Sequence, residues 1–244
     1  MKIEICAYSL ESCLAAARVG ADRVELCSGI LEGGATPSAG MVAMARSLLS
    51  IGLHVMIRPR GGDFLYTDIE FELMKEEIRF ARSARADGVV AGILLADGSV
   101  DEERTRELVE LAAPLPLTFH RAFDMARDLD EALEAVISAG CSRVLTSGGR
   151  AGVDEGLPVL QHLARRSAGR VEIMAGGGVN VGNVVQLRRA GVDAVHLSGK
   201  RARDSQMIFR NPGVSMGGVP GVPEYACYFC DTGKVEAIIR ALNE

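Results

Sequence analysis

Gly20-Ala21-Asp22-Arg23-Val24, Gly140-Cys141-Ser142-Arg143-Val144 and Gly191-Val192-Asp193-Ala194-Val195 are three copies of one junction. In each, a glycine stops a helix, a polar residue turns the chain, and a β-strand begins. One βα unit has been reused. Working outward, short β-branched runs alternate with helix-compatible stretches, as when parallel strands return through helical crossovers. Eight strands are predicted: Ile3–Ala7, Arg23–Cys27, His54–Arg58, Val89–Leu94, Leu117–His120, Arg143–Thr146, Val171–Ala175 and Ala194–Leu197. Ser9 to Val19 and Asp68 to Ala86 read as helices, the second with a solvated, charged face. With 244 residues and 48% hydrophobic content, the chain can close an α/β fold of the (β/α)8 TIM barrel type. Residues 1–244 are therefore expected to form a single TIM-barrel domain.

Arg201 to Asp231 is too long for an ordinary βα connection and is interrupted by Pro212, Gly213, Gly217, Gly218, Pro220, Gly221 and Pro223. It is expected as a long top-side loop, either a flap over the strand ends or a subunit contact. Thr232 to Leu242 then supplies a closing helix. The formal net charge of −5 gives no general basic surface, which argues against a nucleic-acid partner. Neither a membrane-spanning run nor a leader is evident, because Met1-Lys2-Ile3-Glu4-Ile5 starts directly in strand-like sequence. A cytoplasmic protein is expected. Its six scattered cysteines fit reduced thiols better than a disulfide framework.

Strand alternation turns the outer strands' sequence into geometry. Ile3 and Ile5 face the helices while Glu4 and Cys6 point inward; Val24 and Leu26 face out while Glu25 and Cys27 point in. Two Glu-x-Cys pairs thus sit on neighbouring strands roughly 5 Å apart. Buried carboxylates need partners, since an unpaired buried charge costs several kcal/mol. Arg58-Pro59-Arg60-Gly61-Gly62-Asp63 leaves the third strand and His120-Arg121-Ala122-Phe123-Asp124 the fifth. Loops at these strand ends carry the active groups of barrel enzymes. Glu4, Glu25, Arg58, Arg60, Asp63, His120 and Asp124 are therefore candidate catalytic residues; the alternative is a buried ionic network filling the barrel mouth.

Gly176-Gly177-Gly178 follows the seventh strand and Ser198-Gly199-Lys200 the eighth, where barrels often bind phosphate. Gly177, Gly178, Ser198 and Gly199 are candidate anion-binding residues, helped by a helix expected to begin near Asn180. The Gly triplet also suits a simple tight turn. Cys6 and Cys27 are soft donors on adjacent strands, which suits copper(I) or another thiophilic ion more than magnesium or calcium, although free cysteine is also a common packing residue. Cys227-Tyr228-Phe229-Cys230 lacks the second pair of a zinc site and reads as two unconnected thiols, and Cys13 and Cys141 as packing.

The motifs as a set are specific. Glu4-Ile5-Cys6, Gly20 to Cys27, Glu32-Gly33-Gly34 with Thr36-Pro37-Ser38, Ile57-Arg58-Pro59-Arg60-Gly61-Gly62-Asp63-Phe64, Thr118 to Met125, Arg143 to Gly148, Met174 to Gly178 and Phe209-Arg210-Asn211 together resemble the copper homeostasis protein CutC family along essentially the whole chain. The resemblance implies a TIM barrel, a cytoplasmic homodimer or higher homo-oligomer, and a link to copper through Cys6 and Cys27. Cys227 and Cys230 lie outside the family pattern.

Two functions are expected from these features, beside the plainer reading of a barrel retained as a scaffold or subunit of a larger assembly. One is copper(I) binding through Cys6 and Cys27, with the copper ion as partner. The other is an isomerase- or lyase-type enzyme acting on a small anionic metabolite, phosphorylated metabolites included. There the glycines would hold an anion, Arg58 or Arg60 a carboxylate or oxyanion, and Glu25 or His120 would exchange protons with Asp63 or Asp124 as orienting groups.

Overall fold

The structure is a computed structural model that describes residues 1–216 and 222–243. Gly217, Gly218, Pro220 and Gly221 lie outside the described residues. Eight parallel strands close a barrel in chain order: β1 (Lys2–Ala7), β2 (Arg23–Leu26), β3 (Gly52–Met56), β4 (Gly88–Ala91), β5 (Leu117–Phe119), β6 (Arg143–Thr146), β7 (Glu172–Gly176) and β8 (Ala194–Leu197). β8 pairs back onto β1 with Glu4 level with His196. Each crossover carries a helix: α1 (Leu10–Arg18), α2 (Ala39–Leu48), α3 (Asp68–Ser83), α4 (Glu102–Ala112), α5 (Leu129–Ser138), α6 (Val153–Ser167) and α7 (Val184–Arg189).

The repeated junctions work as the sequence implies. Gly20, Gly140 and Gly191 take φ of 85°, 87° and 87°, the left-handed region that ends a helix. The aspartate that follows two of them reaches sideways to the preceding strand: Asp22 accepts the Ile3 amide at 2.7 Å and Asp193 the Ile173 amide at 2.8 Å. Each thus fixes the register of its own strand against the neighbour.

Aliphatic residues lie between sheet and helices, where Ile5, Val24, Leu53 and Val89 pack against Ala16, Met74, Ile78 and Leu133. Burying each large side chain contributes about 1.5–3 kcal/mol, so this outer shell dominates the stability. The barrel interior is different. TIM barrels usually fill it with branched aliphatics; here Glu4, Arg23, Glu25, His54, Thr118 and Arg143 are buried among a few apolar side chains. Some of them pair: Arg23 Nε donates to Glu4 at 2.6 Å, and Arg143 donates to Glu172 at 2.7 Å and to Thr118 at 2.9 Å, whereas Glu25 Oε1 and His54 Nδ1 have no hydrogen-bond partner among the described residues.

After β8 the chain departs from expectation. The two ends of the expected long loop, Lys200–Asp204 (β9) and Ala226–Cys230 (β10), form an antiparallel pair, which leads into α8 (Thr232–Asn243). All five residues of β9 are exposed, as are Met207, Ile208, Phe209 and Met216. The regular part of α7 is short, 6 residues from Val184, and it is opened by a turn in which the Asn183 and Val184 amides donate to the Asn180 carbonyl, near the expected start. Among the described residues no helix is long and apolar enough to cross a membrane.

Candidate active site and metal site

The carboxyl ends of the strands open into a cavity of about 890 Å³. Its floor includes Cys6, Glu25, Met56 and His196, its wall Arg58, Phe64, His120 and Arg121, and its rim Gly177, Gly178, Ser198, Gly199, Lys200 and Lys234. Apart from Lys200, none of the described residues of the β9–β10 segment lines it. Among the described residues the segment does not fold over the mouth: its strands pair with each other and β9 stays exposed.

Parity along β1 and β2 aims both Glu-x-Cys pairs inward, as expected. Cys6 Sγ lies 3.8 Å from Cys27 Sγ, and Met56 packs in the same buried cluster with half-buried Tyr8 beside it. Cys6 lines the cavity, whereas Cys27 is fully buried behind it and donates to Glu25 Oε2 at 3.3 Å. The Cys27 thiol and His196 hold Cys6 well below the usual thiol range despite burial, so Cys6 favours the thiolate. Burial pushes Cys27 in the opposite direction.

His196, which alternation on β8 places inward, organises the floor. Its Nδ1 is 2.7 Å from Glu4 Oε1 and its Nε2 is 3.7 Å from Glu25 Oε2. Cys6, Glu25 and His196 offer donor atoms within 4.8 Å of one another, a constellation able to hold a metal ion. Burial disfavours the imidazolium, but Glu25, Cys6 and Glu4 together raise the pKa of His196 well above normal. Burial keeps Glu25 well above the carboxylate range, and its Oε1 has no hydrogen-bond partner among the described residues. Glu4 is ionised in spite of complete burial, since His196 and Arg23 hold its pKa far down. It sits beneath the floor and does not line the cavity.

His120 occupies the wall. Its Nδ1 accepts the Ala122 amide at 3.2 Å, which assigns the proton to Nε2. Nε2 is buried and has no partner among the described residues. Burial, with Arg58 nearby, pushes the pKa down to about 3, so the ring presents a neutral N–H donor. Gly92, beyond β4, makes the seat: a Cβ there would fall 2.5 Å from His120 Nδ1.

The remaining sequence candidates divide. Arg58 lines the cavity, yet its terminal nitrogens donate to the carbonyls of Glu32 (2.7 Å), Gly34 (2.7 Å) and Gly62 (2.8 Å), joining two of the sequence motifs into one support. Arg60 and Asp63 stand outside the cavity. Arg60 pairs with Glu70 at 2.5 Å and Asp63 at 3.1 Å, over the Tyr66 ring, and so ties its loop to α3. Asp124 is also off the cavity, accepting from Thr146 (2.5 Å), the Gly149 amide (2.9 Å) and Arg121 Nε (2.7 Å). It positions Arg121, which does line the wall. All four anion candidates lie on the rim. His196, Met56 and Lys234 were not nominated from sequence; inward parity on β8 and β3 would have flagged the first two.

Known proteins resemble this chain throughout. A model of the CutC family matches residues 1–201. The chain is 50% identical over 243 residues to a CutC family protein of Chromobacterium violaceum, covering 99% of this chain and 98% of that one. It is 46% identical over 237 residues to a copper homeostasis protein cutC homolog of Homo sapiens, covering 97% and 87%. The solved structure of a CutC protein from Streptococcus agalactiae superposes with TM-score 0.77 at 34% identity, over 81% of this chain and 98% of that one. An aldolase, QR15, shares the barrel at TM-score 0.64 and 18% identity, over 81% and 89%. A full-length match in sequence, together with the closed eight-stranded barrel, establishes that this chain belongs to the CutC family.

Proposed function

We propose that the protein takes part in copper homeostasis by binding copper(I) as cargo at the cavity floor, through Cys6 and Cys27. The carrying observation is the approach of the two sulfurs to 3.8 Å, with Met56 in the same cluster. Thiolate, thioether and imidazole donors are the set a soft monovalent copper ion prefers. Cys6 faces the cavity and favours the thiolate, so it would be the entry ligand, with His196 able to join. All six cysteines are free, in keeping with a reducing, cytoplasmic location. The test is titration of the reduced protein with copper(I) against a competing chelator. Stoichiometric binding that disappears in the Cys6→Ser, Cys27→Ser double variant is expected; binding indifferent to that change would exclude the site.

A second function is favoured by His120. A buried N–H donor without a partner, facing a cavity that also holds Glu25, is what an enzyme needs to polarise a carbonyl or hydroxyl. Small anionic metabolites are the substrate class, and proton-transfer or isomerisation chemistry is the reaction type. The exposed Met207, Ile208, Phe209 and Met216 support assembly into a homodimer or higher homo-oligomer.

A further inference from the structure

On the rim above β7 and β8, beside the strand that carries Cys6, three elements bring backbone amides and cations together at one corner. Gly177 and Gly178 follow β7 with φ of 104° and 84°, and Gly199 follows β8 with φ of 53°. The Gly178 carbonyl is held by the side-chain amides of Asn180 at 2.9 Å and Asn183 at 3.0 Å. Among the described residues the Gly178 and Gly199 amides donate no hydrogen bond. The third element is the start of α8, a helix of 12 residues, whose positive end contributes Gly233 and Lys234 to the lining.

Side-chain cations complete the corner. A Cβ on Gly177 would lie 3.4 Å from Arg121 Nη1, so the guanidinium rests against that glycine. Arg121 Nε and Nη2 are engaged by Asp124 and Ser147, whereas Nη1 makes no hydrogen bond among the described residues. Lys234 donates once, to the Lys200 carbonyl at 3.1 Å, and Lys200 lines the rim beside it. Asp231, a carboxylate on this side of the cavity, is used by the Gly233 amide at 3.1 Å and by Arg201 at 3.4 Å. In the same cavity His120 Nε2 and Arg58 Nε are buried polar atoms without partners.

We propose that this corner seats the phosphate group of a small phosphate monoester, whose organic part crosses the cavity to accept a hydrogen bond from His120 Nε2. Donors converging from three directions suit a tetrahedral, multiply charged oxyanion better than a planar carboxylate, which a single guanidinium can satisfy. A cavity of about 890 Å³ is in the range that encloses a small metabolite. The proposal deepens the enzymatic function above and rests on it for the presence of a metabolite. It is independent of copper.

Calorimetric titration of the metal-free protein with inorganic phosphate and with glycerol phosphate tests it. Both ligands are expected to bind. A Lys200→Ala, Lys234→Ala double variant, which alters only exposed side chains, should weaken both by about tenfold or more. Arg240→Ala, on the far turn of the same helix, should leave both within about twofold. His120→Gln should weaken glycerol phosphate alone. Absence of binding by either ligand, or an Arg240→Ala loss equal to that of the lysine variant, would overturn the site; binding of inorganic phosphate without the ester would overturn the monoester. Because the readout is binding, an ester that binds without turnover supports the subsite while counting against catalysis.

Discussion

Glu4 Oε1 holds His196 Nδ1 at 2.7 Å and so turns the other ring nitrogen toward Glu25 and Cys6. A carboxylate behind an imidazole fixes the ring's orientation and increases its donor strength toward a metal. Glu4→Gln should therefore reduce copper(I) affinity by about 10–100-fold with every proposed ligand still present. It should also destabilise the fold, by about 3–5 kcal/mol, because the buried Arg23 loses its counter-ion and is left with a neutral amide oxygen and the Met174 sulfur at 3.3 Å. Chelator competition and urea denaturation measure the two effects, and an unchanged copper affinity would remove His196 from the site.

The six thiols should separate by reactivity. Cys227 is exposed and Cys6 faces the cavity as a favoured thiolate. Burial pushes Cys13 and Cys141 up to about 12 and Cys230 to about 11, and Cys27 is also raised. Native alkylation followed by mass spectrometry should modify Cys227 and Cys6 first and leave the other four until the protein unfolds. Prompt modification of Cys27 would contradict its place behind Cys6.

Most of this architecture is legible in the residue pattern, and the misses have physical causes. Glycine-polar-strand junctions declare the βα repeat because only a left-handed stop and a short turn fit there, and parity alone assigns Glu4, Cys6, Glu25 and Cys27 to the interior. Arg60 and Asp63 mislead because a charged residue near a strand end can serve either the cavity or the neighbouring helix; the deciding partners, Glu70 and Tyr66, come from sequence that forms α3 and its approach. Arg121 and Asp124 divide their labour for a similar reason. Asp124 is consumed by backbone amides, a demand that appears only once the β6 loop is folded. β9 and β10 escaped notice because Lys200 to Asp204 is largely charged and has neither alternation nor a buried face.

Two buried histidines should shape the acid limb of stability. Burial lowers His54 from 6.5 to about 4 and His120 to about 3. Both are neutral in the fold and take protons on unfolding, so stability is full above pH 6.5 and is lost as pH falls through the folded values. Each contributes a slope of up to about 1.4 kcal/mol per pH unit. Glu25 acts in the opposite sense: it stays protonated in the fold, and its contribution is lost as pH rises above 4.5. The clean test is thus a difference. Relative to His54→Gln, the parent should lose stability between pH 6.5 and about 4, and parallel curves would show that His54 is not held neutral.

Assembly should depend on the exposed apolar segment after β9. Ile208 is fully exposed and Phe209 is 76% exposed, an arrangement that a monomer has no reason to keep in water. If this surface joins copies of the chain, Ile208→Asp with Phe209→Asp should lower the mass found by light scattering while leaving the thermal stability of the barrel near that of the parent. A monomeric parent protein would end the proposal directly.

Gly92→Ala separates the two proposed uses of the cavity. The added methyl would sit 2.5 Å from His120 Nδ1 and 3.0 Å from the Ala122 side chain. The ring cannot swing away cheaply, since Nδ1 is bound by the Ala122 amide and one face lies against Phe64 at 5.0 Å. Overpacking of this kind costs about 1–3 kcal/mol, and relief requires His120 to leave its seat. Binding of glycerol phosphate should then weaken as in His120→Gln, while inorganic phosphate, held also by Lys200, Lys234 and the Gly178 and Gly199 amides, weakens less. Copper(I) affinity should not change, because the atoms nearest the added methyl belong to His120 and Ala122 and not to Cys6, Cys27 or His196. Equal loss of copper and ester binding in this variant would mean that the floor and the wall form one inseparable site, whereas loss of the ester alone would establish them as two.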